Sequence, residues 1–365
     1  MMSSARAVAR SAGFIAAIAG CASPGVPPGG PVDTGAPQIV RIVPDSGRTG
    51  TSPREVIFRF DEVVSEKPSG APSLAALFMI SPRDGEPRVE WHRDEISVRP
   101  RRGWRKNTAY TITLLPGVSD LRGNTRNTGA VTLFATGPTI PAGRISGTLY
   151  NWAEGRPVVK GLVEARLSSD TGVVYVTSSD SAGRFVLSTL GPGRYRVRGL
   201  ADENNNKGLD PREPWDSSAV TLADSISLDM YAFVHDSLGA RLSAVTVRDS
   251  VTLELSFDNP LSPAPILTAA NVRVRASDST DVPVVSVSPP APDSSAKKLA
   301  RPTPLRTVIV KLARPLRPRA DYRVRVTEAR NLMGVLKSSE RPVSIPAPPV
   351  VPPAPPPPPP PSPRR

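Results

Sequence analysis

Apolar and polar residues alternate with a period of two along much of the chain. Val56, Phe58 and Phe60 are interleaved with Ile57, Arg59 and Asp61, and Tyr110, Ile112 and Leu114 with Thr111 and Thr113. Val163, Ala165 and Leu167 alternate with Glu164 and Arg166, and Val251, Leu253, Leu255 and Phe257 with Thr252, Glu254 and Ser256. Successive side chains of a strand point to opposite faces, so each run predicts a strand with one face in a core and one in solvent. The runs are short. Between them stand Asp45-Ser-Gly47, Arg83-Asp-Gly85, Pro116-Gly117 and Arg122-Gly-Asn124, the turn-forming strings that antiparallel strands need at their ends. Arg196, Arg198, Arg323 and Arg325 alternate with Tyr195, Val197, Tyr322 and Val324, which predicts solvent-facing arginines. The pattern predicts an all-β chain of small sandwiches.

Breaks in the pattern divide the 365 residues. The segments 37–138, 143–233 and 239–345 read as three β-domains, the middle one the smallest. Residues 21–36 are a Pro/Gly-rich tether with little to bury, expected to be disordered. Residues 346–365 contain the run Pro355–Pro361, which predicts a polyproline II tail that serves as a spacer or a docking ligand. The stretch 288–304, rich in Pro, Ser and Lys, reads as a long exposed loop. Composition agrees with short strands and many turns: 44 Pro, 27 Gly and only 5% aromatic residues.

The first twenty residues differ from the rest. Arg6 and Arg10 precede a short apolar run that ends in Ile18-Ala19-Gly20-Cys21. A spanning helix needs about 20 apolar residues, and this run is shorter, the length of a signal-peptide core. The string at 18–21 resembles the lipobox of bacterial lipoproteins, and Cys21 is the only cysteine of the chain. The resemblance implies cleavage after residue 20, lipid on Cys21 and a membrane partner, since two or three acyl chains suffice for stable anchoring. Ala22 follows the cysteine in place of an aspartate, which favours the outer membrane.

Further strings resemble known families. Gly29-Gly-Pro-Val-Asp33, Phe58-Arg-Phe-Asp61-Glu62, Asn107-Thr-Ala-Tyr110, Gly117-Val-Ser-Asp120-Leu-Arg-Gly123-Asn124 and Phe134-Ala-Thr-Gly137 are similar, in order and spacing, to the bacterial Ig-like domain named after the S-layer protein SbsA. Segment 239–345 repeats parts of it. Asp258 follows Phe257 as Asp61 follows Phe60, Arg319-Ala-Asp-Tyr322 stands for Asn107–Tyr110, and Asn331-Leu-Met-Gly334 stands near the place of the Asp120 turn. Ser179-Asp-Ser-Ala-Gly183-Arg-Phe185 through Gly191-Pro-Gly193-Arg-Tyr195 resembles the hairpin of the carboxypeptidase regulatory-like, or transthyretin-like, sandwich. The expected architecture is therefore tandem Ig-like β-sandwiches with a smaller transthyretin-like β-sandwich between them. Both resemblances imply non-catalytic modules, and some relatives of the second bind carbohydrate.

Candidate chemistry is sparse. Asp202, Asn204, Asn206, Asp210 and Glu213 fall at positions 1, 3, 5, 9 and 12 of a twelve-residue string, the spacing with which a calcium loop folds oxygens onto a hard cation. Lys207 stands where such a loop wants glycine, with Gly208 one place late. The string reads equally as an Asx-rich turn. Asp61, Glu62 and Asp120 are explained by a strand end and a turn without acid–base catalysis. His92 and His235, the only histidines, are too isolated for a zinc site or a hydrolase triad. Trp91, Trp104, Trp152 and Trp215 serve either a sugar platform or scattered core positions. The net charge of +13 is read chiefly as solvated arginines on strand faces. Export and the lack of aromatic-interleaved basic clusters disfavour nucleic acid. The reading is a non-catalytic envelope lipoprotein that displays or spaces β-domains and contacts envelope proteins. The alternative is a carbohydrate-binding surface lipoprotein. No small-molecule substrate and no certain cofactor follow from the sequence.

Overall fold

The computed structural model describes residues 32–291 and 299–346, and these are built from strands, with two short 3-10 turns at Ala75–Leu77 and Ala269–Asn271. Cys21, the signal segment, most of the tether and nearly all of the Pro-rich tail lie outside the described residues. Among the described residues no helix is long and apolar enough to cross a membrane.

In the first unit Ile39–Val43, Val56–Phe60, Glu95–Arg99 and Arg88–His92 form one sheet in that spatial order, and Phe78–Ser81, Ala109–Leu114 and Ala130–Ala135 form the second. The period-2 runs face inward as expected. Val56, Phe58 and Phe60 meet Phe78, Ile80, Tyr110, Ile112 and Leu114 from the facing sheet. Phe58 and Phe78 pack edge-on at 5.2 Å, and each such buried side chain contributes about 1.5–3 kcal/mol of transfer free energy.

The third unit repeats this arrangement. Leu242–Asp249, Thr252–Leu261, Leu305–Leu312 and Val284–Ser288 form one sheet, facing Asp281–Val282, Val272–Ala276, Asp321–Arg330 and Leu336–Ser344. Leu253, Leu255, Phe257, Val308, Val310, Tyr322, Val324 and Val326 fill the space between.

The middle unit has a sheet in the order Val174–Ser178, Leu162–Leu167, Gly193–Leu200, Trp215–Leu222. Facing it, Gly143–Asn151 pairs with Arg184–Leu190, and with Ser225–Ser227 and Met230–Ala232 in parallel. Gly147 is required there, because a Cβ would stand 2.0 Å from the Leu228 carbonyl oxygen. One expectation is corrected. Arg184–Leu190 and Gly193–Leu200 are not the two arms of a hairpin, since they belong to opposite sheets. The first pairs with Gly143–Asn151 through a bulge between Leu187 and Leu190, where Thr189 takes a φ of +60°. The bulge bends the chain across the sandwich. Phe185 and Leu187 therefore meet Tyr195 and Val197 across the core rather than beside them.

Within the stretch 288–304, residues 292–298 lie outside the described residues; most of the others are exposed as expected, but its last part is fastened to the middle unit. Leu299 is buried against Tyr150 and Tyr231 of the middle unit. Arg301 lies over Trp152 and Tyr231 at 5.2 and 5.1 Å, and the Trp152 indole donates to the Pro302 carbonyl at 3.0 Å.

Candidate functional site

The loop 202–213 leaves the strand Gly193–Leu200 and returns as Trp215–Leu222. Its acidic oxygens accept N–H bonds from within the loop. Asp202 takes the amides of Asn206 at 3.0 Å and Lys207 at 2.9 Å, and the buried Glu213 takes those of Glu203 at 3.0 Å and Asp210 at 2.9 Å. The Asn204 and Asn206 carboxamides both donate to Asp210. The structure thus brings the five predicted residues into one turn in which their side chains accept or donate hydrogen bonds within the loop. Burial pushes the Asp202 carboxyl above its usual range.

Lys207, the residue that departs from the calcium pattern, crosses to the first unit. Its backbone is left-handed at φ +58°, which turns the side chain away from the loop. Its ammonium donates to the carbonyls of Phe78 at 2.9 Å and Ala75 at 3.4 Å. Burial lowers its pKa from the ordinary lysine value. In return, Arg83 of the first unit donates to the Lys207 carbonyl at 2.8 Å and pairs with Glu164 of the middle unit. Glu164 is 5% exposed and holds Arg198 with its other oxygen at 2.6 Å. The edge strand Phe78–Ser81 runs on into the middle sheet: Arg83 N donates to Val174 O at 2.8 Å, and Val176 N to Ser81 Oγ at 2.9 Å. Met79 and Leu115 cover Leu162, Val174, Val176 and Leu200, closing an apolar seam. Arg105 and Asp170 pair at its margin at 2.7 Å. Beside the seam lies a cleft of about 560 Å³ lined by Leu77, Met79, Leu115, Lys160, Asp202 and Lys207. Sequence reasoning missed Arg83 and Lys207 as bridging residues. The one signal was a lysine in a position where a free turn prefers glycine.

A second polar cluster sits at the end of the first unit. Asp33, Glu62 and Asp120 each place one oxygen within 4.8 Å of the others, the one such group of acids among the described residues. Asp120 anchors the turn that follows it by accepting from Arg122 N at 2.9 Å and from Asn124 N and Nδ2 at 2.8 Å. Burial acts to raise its pKa, and these donors more than offset it, so the carboxyl sits below its usual value. Glu62 is pushed up, by burial first and then by the charges of Asp120, Asp33 and Asp61. Asp61 is spent on the Gln38 amide at 2.7 Å.

The four tryptophans do not form a single platform, but Trp152 and Trp215 are joined through Phe233 and His235 in one aromatic row. Trp91 donates to the Val64 carbonyl at 2.9 Å, and Trp104 packs edge-on against Tyr110 and Phe134. Trp152 is held by Arg301. Trp215 is half-buried and stacks on His235 at 3.8 Å.

Residues 33–136 match the family model of the bacterial Ig-like domain. No curated protein matches the chain. Among solved structures, the chain is similar to the N-terminal part of the bacterial S-layer protein SbsC, at 19% identity and a TM-score of 0.22 over 28% of this chain and 23% of that one. It is similar to a putative carbohydrate binding protein from Bacteroides uniformis, at 11% identity and a TM-score of 0.20 over 56% of this chain and 100% of that one. A third likeness is to SbsC domains 1–6, at 10% identity and a TM-score of 0.20, over 87% of this chain and 55% of that one. The chain thus spans under a quarter of the first SbsC structure and just over half of the other.

Proposed function

We propose that the chain is a non-catalytic lipoprotein of the bacterial envelope, held by lipid on Cys21 and built to present β-sandwich units in a fixed order to other envelope components. The outer membrane is the favoured site. The observation that carries this reading is the fastening of the first unit to the middle one by Lys207 and Arg83. A junction that half-buries a lysine and ties two cations to the opposite side resists hinging, unlike the usual polar and mobile contact between domains. A display protein uses that stiffness to set a distance.

The anchor and the stiffness have separate tests. Cys21→Ser is expected to release the protein from the membrane fraction and to end incorporation of labelled fatty acid. Membrane retention of that variant overturns the anchor. Arg83→Ala leaves Glu164 with Arg198 alone and is expected to cost about 1–3 kcal/mol. With Lys207→Met it should give the first two units separate rotational correlation times in NMR relaxation. An unchanged correlation time would remove the rigid spacer. The calcium reading of loop 202–213 is checked on the same samples. A rise in melting temperature with calcium that Asp202→Ala abolishes would put a cation in the loop; the fastening by Lys207 requires none.

A further inference from the structure

The outer face of the middle sheet carries a charge pattern that the spacer reading does not use. Glu164 and Arg166 point outward from Leu162–Leu167, and Arg196 and Arg198 from Gly193–Leu200. Register places Glu164 opposite Arg198 and Arg166 opposite Arg196. The first pair is complementary, and with Arg83 it neutralises Glu164. The second is a like-charge pair set directly across the ladder, an arrangement that destabilises a sheet. Among the described residues neither Arg166 nor Arg196 has an ion-pair partner; Arg166 reaches only the Thr171 carbonyl at 3.2 Å. The third unit shows what a sheet does when such pairs are merely structural. There Arg273 stands opposite Arg325 and Arg275 opposite Arg323. Asp281 pairs with Arg273 at 2.6 Å and Arg275 at 2.9 Å, and Glu340 with Arg323 at 3.1 Å. The middle sheet lacks that compensation.

The unpaired arginines are also not on an open plane. Glu164, Arg166, Arg196, Arg198, Trp215 and Ser217 line a cleft of about 300 Å³, at the lower end of the range of about 300–1,000 Å³ for small-ligand pockets. Trp215 stands at one end, its ring fixed from behind by the stacked His235. Register sets Trp215 four residues along the sheet from the level of Arg166 and Arg196. Two guanidiniums that can grip an oxyanion bidentately and an aromatic wall that can meet an apolar ring face therefore select for a chain of rings that bears negative charge.

We infer that this cleft binds an acidic oligosaccharide, a carboxylate-bearing stretch of an envelope or environmental glycan, with Arg166 and Arg196 on a carboxylate and Trp215 against a sugar ring of the same stretch. The proposal goes beyond the spacer reading and does not depend on anchoring: a protein that fails to carry lipid still has the cleft.

The test is calorimetric titration of the purified chain with trigalacturonate, alongside tryptophan fluorescence. Maltotriose serves as the neutral sugar and poly-glutamate as the acidic peptide. Binding of trigalacturonate is expected, with an affinity loss of about tenfold or more in Arg196→Ala and in Arg166→Ala. Both residues are exposed, so both variants should fold as the parent does. Arg325→Glu, a larger charge change on the exposed face of another unit, should leave affinity unchanged, and the fluorescence response should vanish in Trp215→Phe. Absence of trigalacturonate binding overturns the site. So does an equal loss in Arg325→Glu, which would make the effect one of net charge. Equal binding of poly-glutamate, insensitive to Trp215→Phe, would replace the sugar with an acidic polypeptide and overturn the assignment.

Discussion

The first and third units are two solutions to the same sandwich, and their polar fittings correspond position by position. Gln38 and Asp61 exchange bonds, Gln38 N to Asp61 Oδ1 at 2.7 Å and Asp61 N to Gln38 O at 3.0 Å. Arg241 and Asp258 do the same at 2.7 and 3.0 Å. The Tyr110 hydroxyl accepts Arg105 N at 2.7 Å, and the Tyr322 hydroxyl accepts Arg317 N at 2.8 Å. Asn107 and Arg319, three residues before those tyrosines, share the left-handed backbone. The turn after Asp120 is copied by the turn after Asn331, whose side chain accepts Val335 N at 2.9 Å where Asp120 accepts Asn124 N. One difference stands out. Asp33, Glu62 and Asp120 of the first unit become Asp236, Asn259 and Asn331 in the third. There the two carboxamides donate to Asp236, Asn259 to its carboxylate at 2.7 Å and Asn331 to its backbone carbonyl at 2.6 Å. The backbone fittings are thus indifferent to whether the turn residue is an acid or an amide, while the electrostatics are opposite: mutual repulsion in one unit, internal satisfaction in the other.

This correspondence can be broken or sharpened by experiment. The largest effect is expected from Phe60→Ala and Phe257→Ala, equivalent buried residues at 2% and 3% exposure, each costing about 3–5 kcal/mol. Unequal losses in denaturant titration would mean that the cores are not equivalent. Next comes Asn331→Asp. It sets an acceptor against the Asp236 carbonyl in a buried site and should cost the third unit about 1–3 kcal/mol. The reverse change, Glu62→Gln, removes a repelled charge and should raise the melting temperature of the first unit slightly. The smallest effect is in pH. The folded-state pKa of Glu62 is raised, so the folded first unit binds more protons than its unfolded chain just above the ordinary glutamate range. Its Glu62-linked stability is therefore fully present below that range and lost as pH rises through the raised value. Melting temperature should fall slightly across that window in the parent and stay flat in Glu62→Gln.

The strands and their facing were legible in the sequence because period-2 alternation is imposed directly by burial. The equivalence of Asp61 with Asp258 and of Tyr110 with Tyr322 was legible for a related reason, since a side chain that closes a backbone turn acts locally and leaves a local trace. The Asn331 turn was harder to read, because an amide replaces the acid while the bonds persist. What could not be read was everything decided between units. Lys207 looked like a flaw in a metal loop because its partners are the carbonyls of Ala75 and Phe78, far away in the chain. The supposed hairpin failed for another reason: inward-facing residues on opposite sheets and inward-facing residues on adjacent strands have the same alternation. Only the bulge at Thr189 separates the two cases, and nothing in the residue type announces its positive φ. The compensated arginine pairs of the third unit and the uncompensated pair of the middle one likewise look alike until register is known.

The strand Gly143–Asn151 recruits its parallel partners from Ser225–Ser227 and Met230–Ala232, near the far end of the middle unit. As the chain emerges with its N-terminus leading, the first sandwich has all of its strands by Ala135 and can close alone. The middle one must hold an unpaired edge until residue 232 appears, because the loop-closure cost comes before the contacts that offset it. An unpaired edge is a template for a neighbouring chain. The contacts that the first sandwich offers the middle unit, Arg83 N donating to Val174 O and Ser81 Oγ accepting from Val176 N, fall on the opposite sheet. They can form before residue 232 is made, and they leave the edge at Gly143–Asn151 open until it is.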